Sequence, residues 1–480
     1  MLFDNLDNEV INLEIKQKSP ATIEQIVNIE INDYISSNKY KEMELAEKYY
    51  KNNNDIKREG RKKLDGYGHL TPTDNSADSR LSHDFFSLLA DQKIQYLLEK
   101  EWSIECENQA YLDKINLLLD DEFKTKLTKI TLNAITKSCG WGFVYPWGDV
   151  LRLKVVNPLN LLPLWADEDH TELNAAIYFY QQICYEGLTK KIKKYAQFWD
   201  KNGVILLENE NGTYRIASER QPMITVKNGE TVSGLNWDKI PLIPLKYNLE
   251  EISLLHKIKS QIDDYDKITS QNSNLLQDDD NKVLWVQNYD GQSGKELREF
   301  MAKYRLIKTR DQGSVGIIDT TVDIDNTGKH LDRLRKDIFI FGRGVDPEAD
   351  FGANASAEAR QYQYNLLDMD CNSLENGCKK FIKDYLWFVN RFYKLPDEKI
   401  NFVFNRDIIT SESSAIDMCV KSQSINGLST KTILSNHPWV KDVDEEMKEW
   451  EAENKPLEDV DGGIGTQGEK KSQIEENNNE

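Results

Sequence analysis

At 480 residues the chain exceeds what one ordinary hydrophobic core serves, so two or more substructures are expected. Its 81 acids against 61 bases give a formal charge of −20, which argues against tight nucleic-acid binding by a single chain, because such binding needs Lys and Arg to displace phosphate counterions. With 30% charged and 39% hydrophobic residues, the composition suits modest cores and long exposed helices better than a compact enzyme. No apolar window approaches the length that spans a bilayer. The start, MLFDNLDNEVINLEI, lacks the basic and apolar regions of a signal peptide, so a soluble intracellular protein is expected. Six scattered cysteines (106, 139, 184, 371, 378, 419), with no CxxC pair, read as reduced and mostly buried thiols.

In chain order, an acidic arm (1–39) leads into a short helix, and a helix-prone, charge-rich segment runs from Lys41 to Lys63. After a loop with Gly66, Gly68, Pro72 and Asn75, the residues Leu81, Phe85, Leu88, Leu89 and Tyr96 predict an amphipathic helix. The region 110–137 predicts another, with Leu112, Ile115, Leu119, Phe123, Leu127 and Ile130 on one face. From Gly140 the pattern changes to a hairpin around Trp147-Gly148-Asp149, then an antiparallel meander of about six strands. Pro241 and Pro244 read as its boundary.

Helix resumes at Glu251 with the stripe Leu255, Ile258, Ile262, Tyr265, Ile268, Asn272 and Leu276, opposite a polar side carrying Asp263, Asp264 and Asp266. So narrow a stripe favours packing against other long helices. A small strand–helix–strand unit follows (KVLWVQNY, GKELREFMAKY, SVGIID), then a helix over 327–341 with Leu331, Leu334, Ile338 and Phe341 on its apolar face. FGRGVDPEADFGANASAEARQY (341–362) interrupts the helices with three glycines, a proline and acids. The longest helix, 354–393, carries Leu367, Cys371, Leu374, Cys378, Phe381, Tyr385, Val389 and Phe392 on one face. The two cysteines on that stripe read as core residues rather than ligands. A strand (KINFVFN), helices at 411–425 and 430–435, an acidic helix at 443–453 and an aperiodic tail complete the chain.

Catalytic signatures are missing from the sequence. Gly294-Lys295 continues to Glu296 and Gly328-Lys329 to His330, so no phosphate-cradling G-x-x-x-x-G-K-[ST] occurs. The six histidines are isolated, and Asp278-Asp279-Asp280-Asn281 lacks the glycine and distal glutamate of an EF-hand. Neither an enzyme nor a cofactor is expected.

The ordered set EKYYKNNNDI, RLSHDFFSLLADQKIQYLLEK, SQIDDYDKITSQNSN with a strand after it, LDRLRKDIF, and GVDPEADFGANASAEARQYQYNLLDMDCNSLE resembles the tailed-phage portal proteins, the head-to-tail connectors of long-tailed non-contractile phages of Gram-positive bacteria. The likeness runs from about residue 40 to 440. It implies an α+β portal fold assembled as a ring, dodecameric in the virion, at one capsid vertex. The implied parts are an N-terminal arm (1–39), a wing of helices and strand meander (40–245), a stem helix (246–280), a clip (281–320) and a second stem helix (321–341). A tunnel loop (342–353), a long wing helix (354–397), a crown (398–453) and a disordered acidic tail (454–480) would follow. The implied partners are further copies of the chain, double-stranded DNA passing through the channel, the large terminase subunit, scaffolding and major capsid proteins, and a head-completion or adaptor protein; no membrane is implied. Where relatives commonly carry Gly and a small hydrophobic residue after F-x-G-N-x-S, this chain has Ala357-Glu358-Ala359.

The loop residues singled out are Arg343, Asp346, Glu348, Asp350 and Asn354: glycines would let the loop change shape, and the acids would repel phosphate so that DNA is guided without being held. The plain alternative is an exposed, polar helix–helix connector. Lys329, Arg333, Arg335 and Lys336 would either line the channel or pair with Asp263, Asp264 or Asp266 of a neighbouring copy. Three function classes stay open at this point: a portal, another non-catalytic structural ring or minor capsid protein without a DNA channel, and an enzyme with an unrecognised site.

Overall fold

The computed structural model describes residues 22–60, 62–64, 70–72, 77–228, 231–277, 282–291, 293–304, 307, 309–319, 324–348, 357–406, 416, 419–422, 429–435, 437, 440 and 443–453. The chain divides after Asp407 into two units.

The first unit opens on α1 (Ile23–Ser36), started by a capping box in which Thr22 and Gln25 satisfy each other's backbone N–H groups. Ser37 ends α1 and caps α2 (Asn38–Tyr50). The helix expected to reach Lys63 stops there, because Asn52 turns left-handed (φ 50°) and the chain enters a 3-10 turn and the short hairpin β1 (Lys62–Leu64) and β2 (Leu70–Pro72). Then come α3 (Phe85–Leu98) and β3 (Ser103–Glu105). The helical region 110–137 is two helices, α4 (Gln109–Leu118) and α5 (Asp121–Lys137). Asp120 accepts the Phe123 N–H at 2.9 Å and so begins a new helix.

The meander comprises β4 (Cys139–Trp147), β5 (Val150–Val156), β6 (Leu161–Trp165), β7 (Leu173–Glu186), β8 (Thr189–Asp200), β9 (Gly203–Glu210), β10 (Thr213–Ile216), β11 (Ile224–Asn228), β12 (Thr231–Leu235) and β13 (Leu242–Lys246). It forms three antiparallel sheets, ordered β10-β9-β8-β7-β6, β13-β4-β5 and β11-β12. Pro244 does not end it. It pairs across from Trp141 inside β13, an edge strand, where its missing N–H breaks no ladder.

Next are α6 (Leu254–Gln277), β14 (Lys282–Tyr289), α7 (Gly294–Tyr304), β15 (Thr309–Asp319), α8 (Ile324–Phe341), α9 (Ala357–Tyr393) and β16 (Asn401–Val403). The strand–helix–strand unit is as expected, with β14 and β15 antiparallel. β16, read as opening the terminal segment, pairs instead with β3, Phe402 opposite Ile104. The second unit holds α10 (Thr430–Ser435) and α11 (Val443–Glu453). The helix expected at 411–425 is seen at 416 and 419–422, the rest lying outside the described residues, as does the tail after 453.

The main core lies where α9 crosses α5 and the β13-β4-β5 sheet: Leu127, Ile130, Leu374, Cys378, Phe381 and Val389 are fully buried. All but Phe392 of the predicted α9 stripe is buried. Burial pushes the Cys371 and Cys378 thiols up to about 12, as suits inert core residues. A second cluster forms where Val27 and Ile31 of α1 cover Leu164, Ile177 and Phe198 on one face of the five-stranded sheet. Its other face sends Trp165, Ala176 and Trp199 against Trp141 and Leu242.

The entry to α6 is fixed by Glu251, itself left-handed at φ 51°. Its carboxylate meets Lys39 (3.1 Å), Lys246 (2.9 Å) and His170 Nδ1 (2.8 Å), tying α2, β13 and the β6–β7 turn to one point. Burial works to raise this carboxyl, but Lys39, His170 and Lys246 prevail and hold it at about 2.

Candidate functional site at the connector between the long helices

The apolar stripe of α6, expected to pack against other long helices rather than in a globule, is buried in the main core through Ile262, after which the buried positions are polar: Asp266, Ser270 and Asn274. Asp266, expected on the solvent side, is fully buried, accepting hydrogen bonds from Asn54 Nδ2 (2.7 Å) and the His83 N–H (2.9 Å) and lying 2.7 Å from His83 Nδ1. Ser270 Oγ accepts from the Leu81 N–H (2.9 Å) and Asn274 Oδ1 from the Ser79 N–H (2.6 Å). This polar ladder gives an otherwise extended segment, 79–83, its backbone partners. Asp263 binds Lys259 and the Tyr49 hydroxyl. Asp264 alone of the three is half exposed, 3.3 Å from His330 Nε2 of α8.

On α8, Arg333 is 81% exposed and only 3.8 Å from Asp337 of its own helix. Lys329 and Lys336 are exposed. Arg335 differs. It donates Nε and Nη2 to Asp346 (2.8 and 2.7 Å) and stands 2.8 Å from Glu348 through Nη1. Burial opposes ionisation of Asp346, yet the Arg335 hydrogen bonds hold its carboxyl below the usual range. Two of the three loop acids are therefore bound to α8. Asp350 and Asn354 lie outside the described residues.

The connector's root is fastened from several sides. The Gly344 N–H bonds to Phe339 O (2.9 Å) and the Arg343 N–H to Ile340 O (3.1 Å), the pairing that closes a helix with a left-handed residue. That residue is Arg343 (φ 50°) rather than a glycine. The glycines beside it serve close approach: a Cβ on Gly344 would come within 2.1 Å of Leu89 Cδ2, and one on Gly342 within 2.6 Å of Leu89 Cδ1. Gln92 of α3 then reads both polar groups of Val345, donating to its carbonyl (3.0 Å) and accepting from its N–H (2.9 Å).

Beneath this root, Lys93 is fully buried. Its ammonium donates to the Arg343 carbonyl (2.9 Å) and pairs with Asp370 of α9 (2.9 Å). Asp370 also takes Arg343 Nη1 (3.1 Å) and the Tyr247 hydroxyl. Burial would raise Asp370, but Lys93 outweighs it and the carboxylate stays ionised. Three elements thus converge on one carboxylate. Alongside, between α8, the root and α9, lies an open groove of about 620 Å³ lined by Phe339, Ile340, Val345 and Leu366 with Arg335 and Lys336. Among the described residues no group of three or more His, Cys, Asp or Glu is placed to hold a metal.

A family profile described as phage portal protein, SPP1 Gp6-like, matches residues 30–457. The chain belongs to this portal family. Similar relatives are the portal protein of Bacillus phage SPP1, 26% identical over 432 residues covering 87% of this chain and 84% of the relative, and that of Clostridium phage phiCD119, 27% identical over 436 residues covering 85% and 92%. Among solved structures, the neck of the native GTA particle computed with C12 symmetry matches with a TM-score of 0.39 at 12% identity, covering 74% of this chain and 91% of that one. The resemblance read from the ordered motifs therefore holds at the level of the family.

Within this portal chain, sequence reasoning missed Gln92, Lys93 and Asp370. A signal existed. Lys93 falls between Leu89 and Leu97 at helical spacing, and Asp370 between Leu367 and Leu374, so each puts a charge on a stripe that is otherwise core. Two opposite charges misplaced in this way are a cue to a buried pair.

Proposed function

We propose that copies of this chain close into a dodecameric ring at one capsid vertex, a channel for double-stranded DNA during packaging and ejection. In this reading α6 and α8 form the stem, the β14–α7–β15 unit the clip, residues 342–353 the tunnel loop, residues 40–245 with α9 the wing, and the last segment the crown. The ring docks the large terminase subunit, scaffolding and major capsid proteins and a head-completion protein, and has no catalytic role. It resides in the virion, after assembly in the host cytoplasm. The observation that carries this is the family match spanning residues 30–457.

The connector geometry gives the reading a physical form. Its root is pinned to α3, α8 and α9, so every copy would hold the loop at the same place around a bore. With Asp346 and Glu348 both bound to the single Arg335, these three groups leave one net negative charge at the root to face passing phosphates. Exposed Lys329, Arg333 and Lys336 are left for transient phosphate contacts or for acids of a neighbouring copy, Asp264 among them.

Electron microscopy of the purified protein tests the ring. Open-centred rings are expected; filaments, closed shells or dimers would sink the reading in favour of another structural role, and nucleotide turnover by the pure protein would favour an enzyme. Substituting Asp346, Glu348 and Asp350 together by Lys is expected to stall packaging while rings still form.

A further inference from the structure

The β7–β8 hairpin outruns the sheet that supports it. Pairing of β7 with β6 reaches no further than Tyr178, and that of β8 with β9 no further than Tyr195. From Gln181 opposite Lys194 to Glu186 opposite Thr189 the two strands pair only with each other. A lone two-stranded ribbon is marginal in water. This one also carries side chains the fold does not use. Ile183 and Ile192 face each other across the strands and are more than half exposed, as is Tyr185, while Leu188 at the turn is entirely exposed. Gly187 (φ 62°) supplies the left-handed first turn position, so the turn itself asks nothing apolar of Leu188.

The charge of the ribbon is as distinct as its exposure. Residues 181–194 carry four lysines (190, 191, 193, 194) against one carboxylate of their own, Lys193 pairing with Glu208 of β9 at 3.1 Å, on a chain whose overall charge is −20. Lysines on open strand edges discourage edge-to-edge pairing between like copies. That explains the charge and leaves the aliphatic and aromatic side chains unexplained. An extended partner with both acidic and apolar side chains accounts for both, pairing its backbone along a free edge while its carboxylates meet the lysines. DNA fits less well, since Ile183, Leu188 and Ile192 offer nothing to phosphate.

We propose that the 181–194 ribbon docks an acidic, apolar-punctuated extended segment of a different protein by strand addition.

The test places a photo-crosslinking amino acid at Leu188 of the full chain, and separately at Ile183, in particles assembled during infection. The crosslinked peptide is then sequenced. The expected product is an acidic segment of another protein, and its yield should fall about tenfold when Lys190, Lys191 and Lys194 are changed to Glu, the loss fitting a charge-guided contact. Ring assembly and melting temperature should stay at the parent's values in all variants, because the ribbon contributes nothing to the buried core. Crosslinks to DNA, to another copy of this chain or to a segment without acids would each overturn the proposal. So would the absence of any product at both positions.

Discussion

Two sets of charges on either side of the connector behave in opposite ways. Around Asp370, Lys93 is locked by geometry and burial and the more exposed Arg343 by geometry alone, each with partners from more than one element. On the outer side of α8, Arg333 and His330 reach long, exposed contacts that water can replace. Both sets look alike in the sequence, as charges scattered through helices. What separates them is the cost of being left alone: a buried ammonium without its carboxylate is severely penalised, whereas an exposed guanidinium is simply hydrated.

The sharpest way to break that contrast is Asp370→Ala. It leaves Lys93 buried and unpaired, and thermal or urea unfolding should report a loss of about 3–5 kcal/mol. Adding Lys93→Met and replacing Asp370 by Leu should recover most of it. A single variant within about 1 kcal/mol of the parent would mean the buried pair is dispensable.

Glu251 extends the comparison to pH. Its folded carboxyl lies at about 2 against the ordinary 4.5, so its contribution is complete above 4.5 and is lost as pH falls from there through 2. Glu251→Gln should cost up to about 3 kcal/mol at neutral pH, with parent and variant converging near the acid end of an unfolding titration. A gap that persisted at acid pH would assign the loss to packing instead.

Gly344→Val tests the fastening from the apolar side. Its branched side chain must displace Leu89, at an expected cost of about 1–3 kcal/mol, partly restored by Leu89→Ala in a double-mutant cycle. The smallest effect belongs to Arg333→Ala, under about 0.5 kcal/mol in the unassembled chain. If assembled rings lose far more than that, a neighbouring copy covers this side chain. Rescue of an Asp264→Lys ring by Arg333→Asp would then identify the contact.

Where a pattern was repetitive and apolar, the sequence was legible. The α9 stripe from Leu367 to Val389 could be read residue by residue, as could the small β14–α7–β15 unit. Reading failed where polar residues are buried but satisfied. Asp266, Ser270 and Asn274 look like a solvent face until His83, Leu81 and Ser79 arrive from a segment nearly two hundred positions earlier. Gly342 and Gly344 suggested pliability for the same reason, since the side chain they make room for, Leu89, is remote in sequence. The acids of the loop were read as free charges because Arg335, although close in the chain, sits on a helix whose rotation the sequence does not fix.

The pairing of β16 with β3 bears on biosynthesis. Asn401 Nδ2 donates to Glu105 at 2.9 Å across 296 positions, so an edge laid down early stays open until almost the entire first unit has left the ribosome. At about 5–20 residues per second that wait is tens of seconds, during which the slot for Phe402 is bare. Prematurely terminated products would carry that unfilled slot permanently, marking them for chaperones and proteases before they could meet full-length copies.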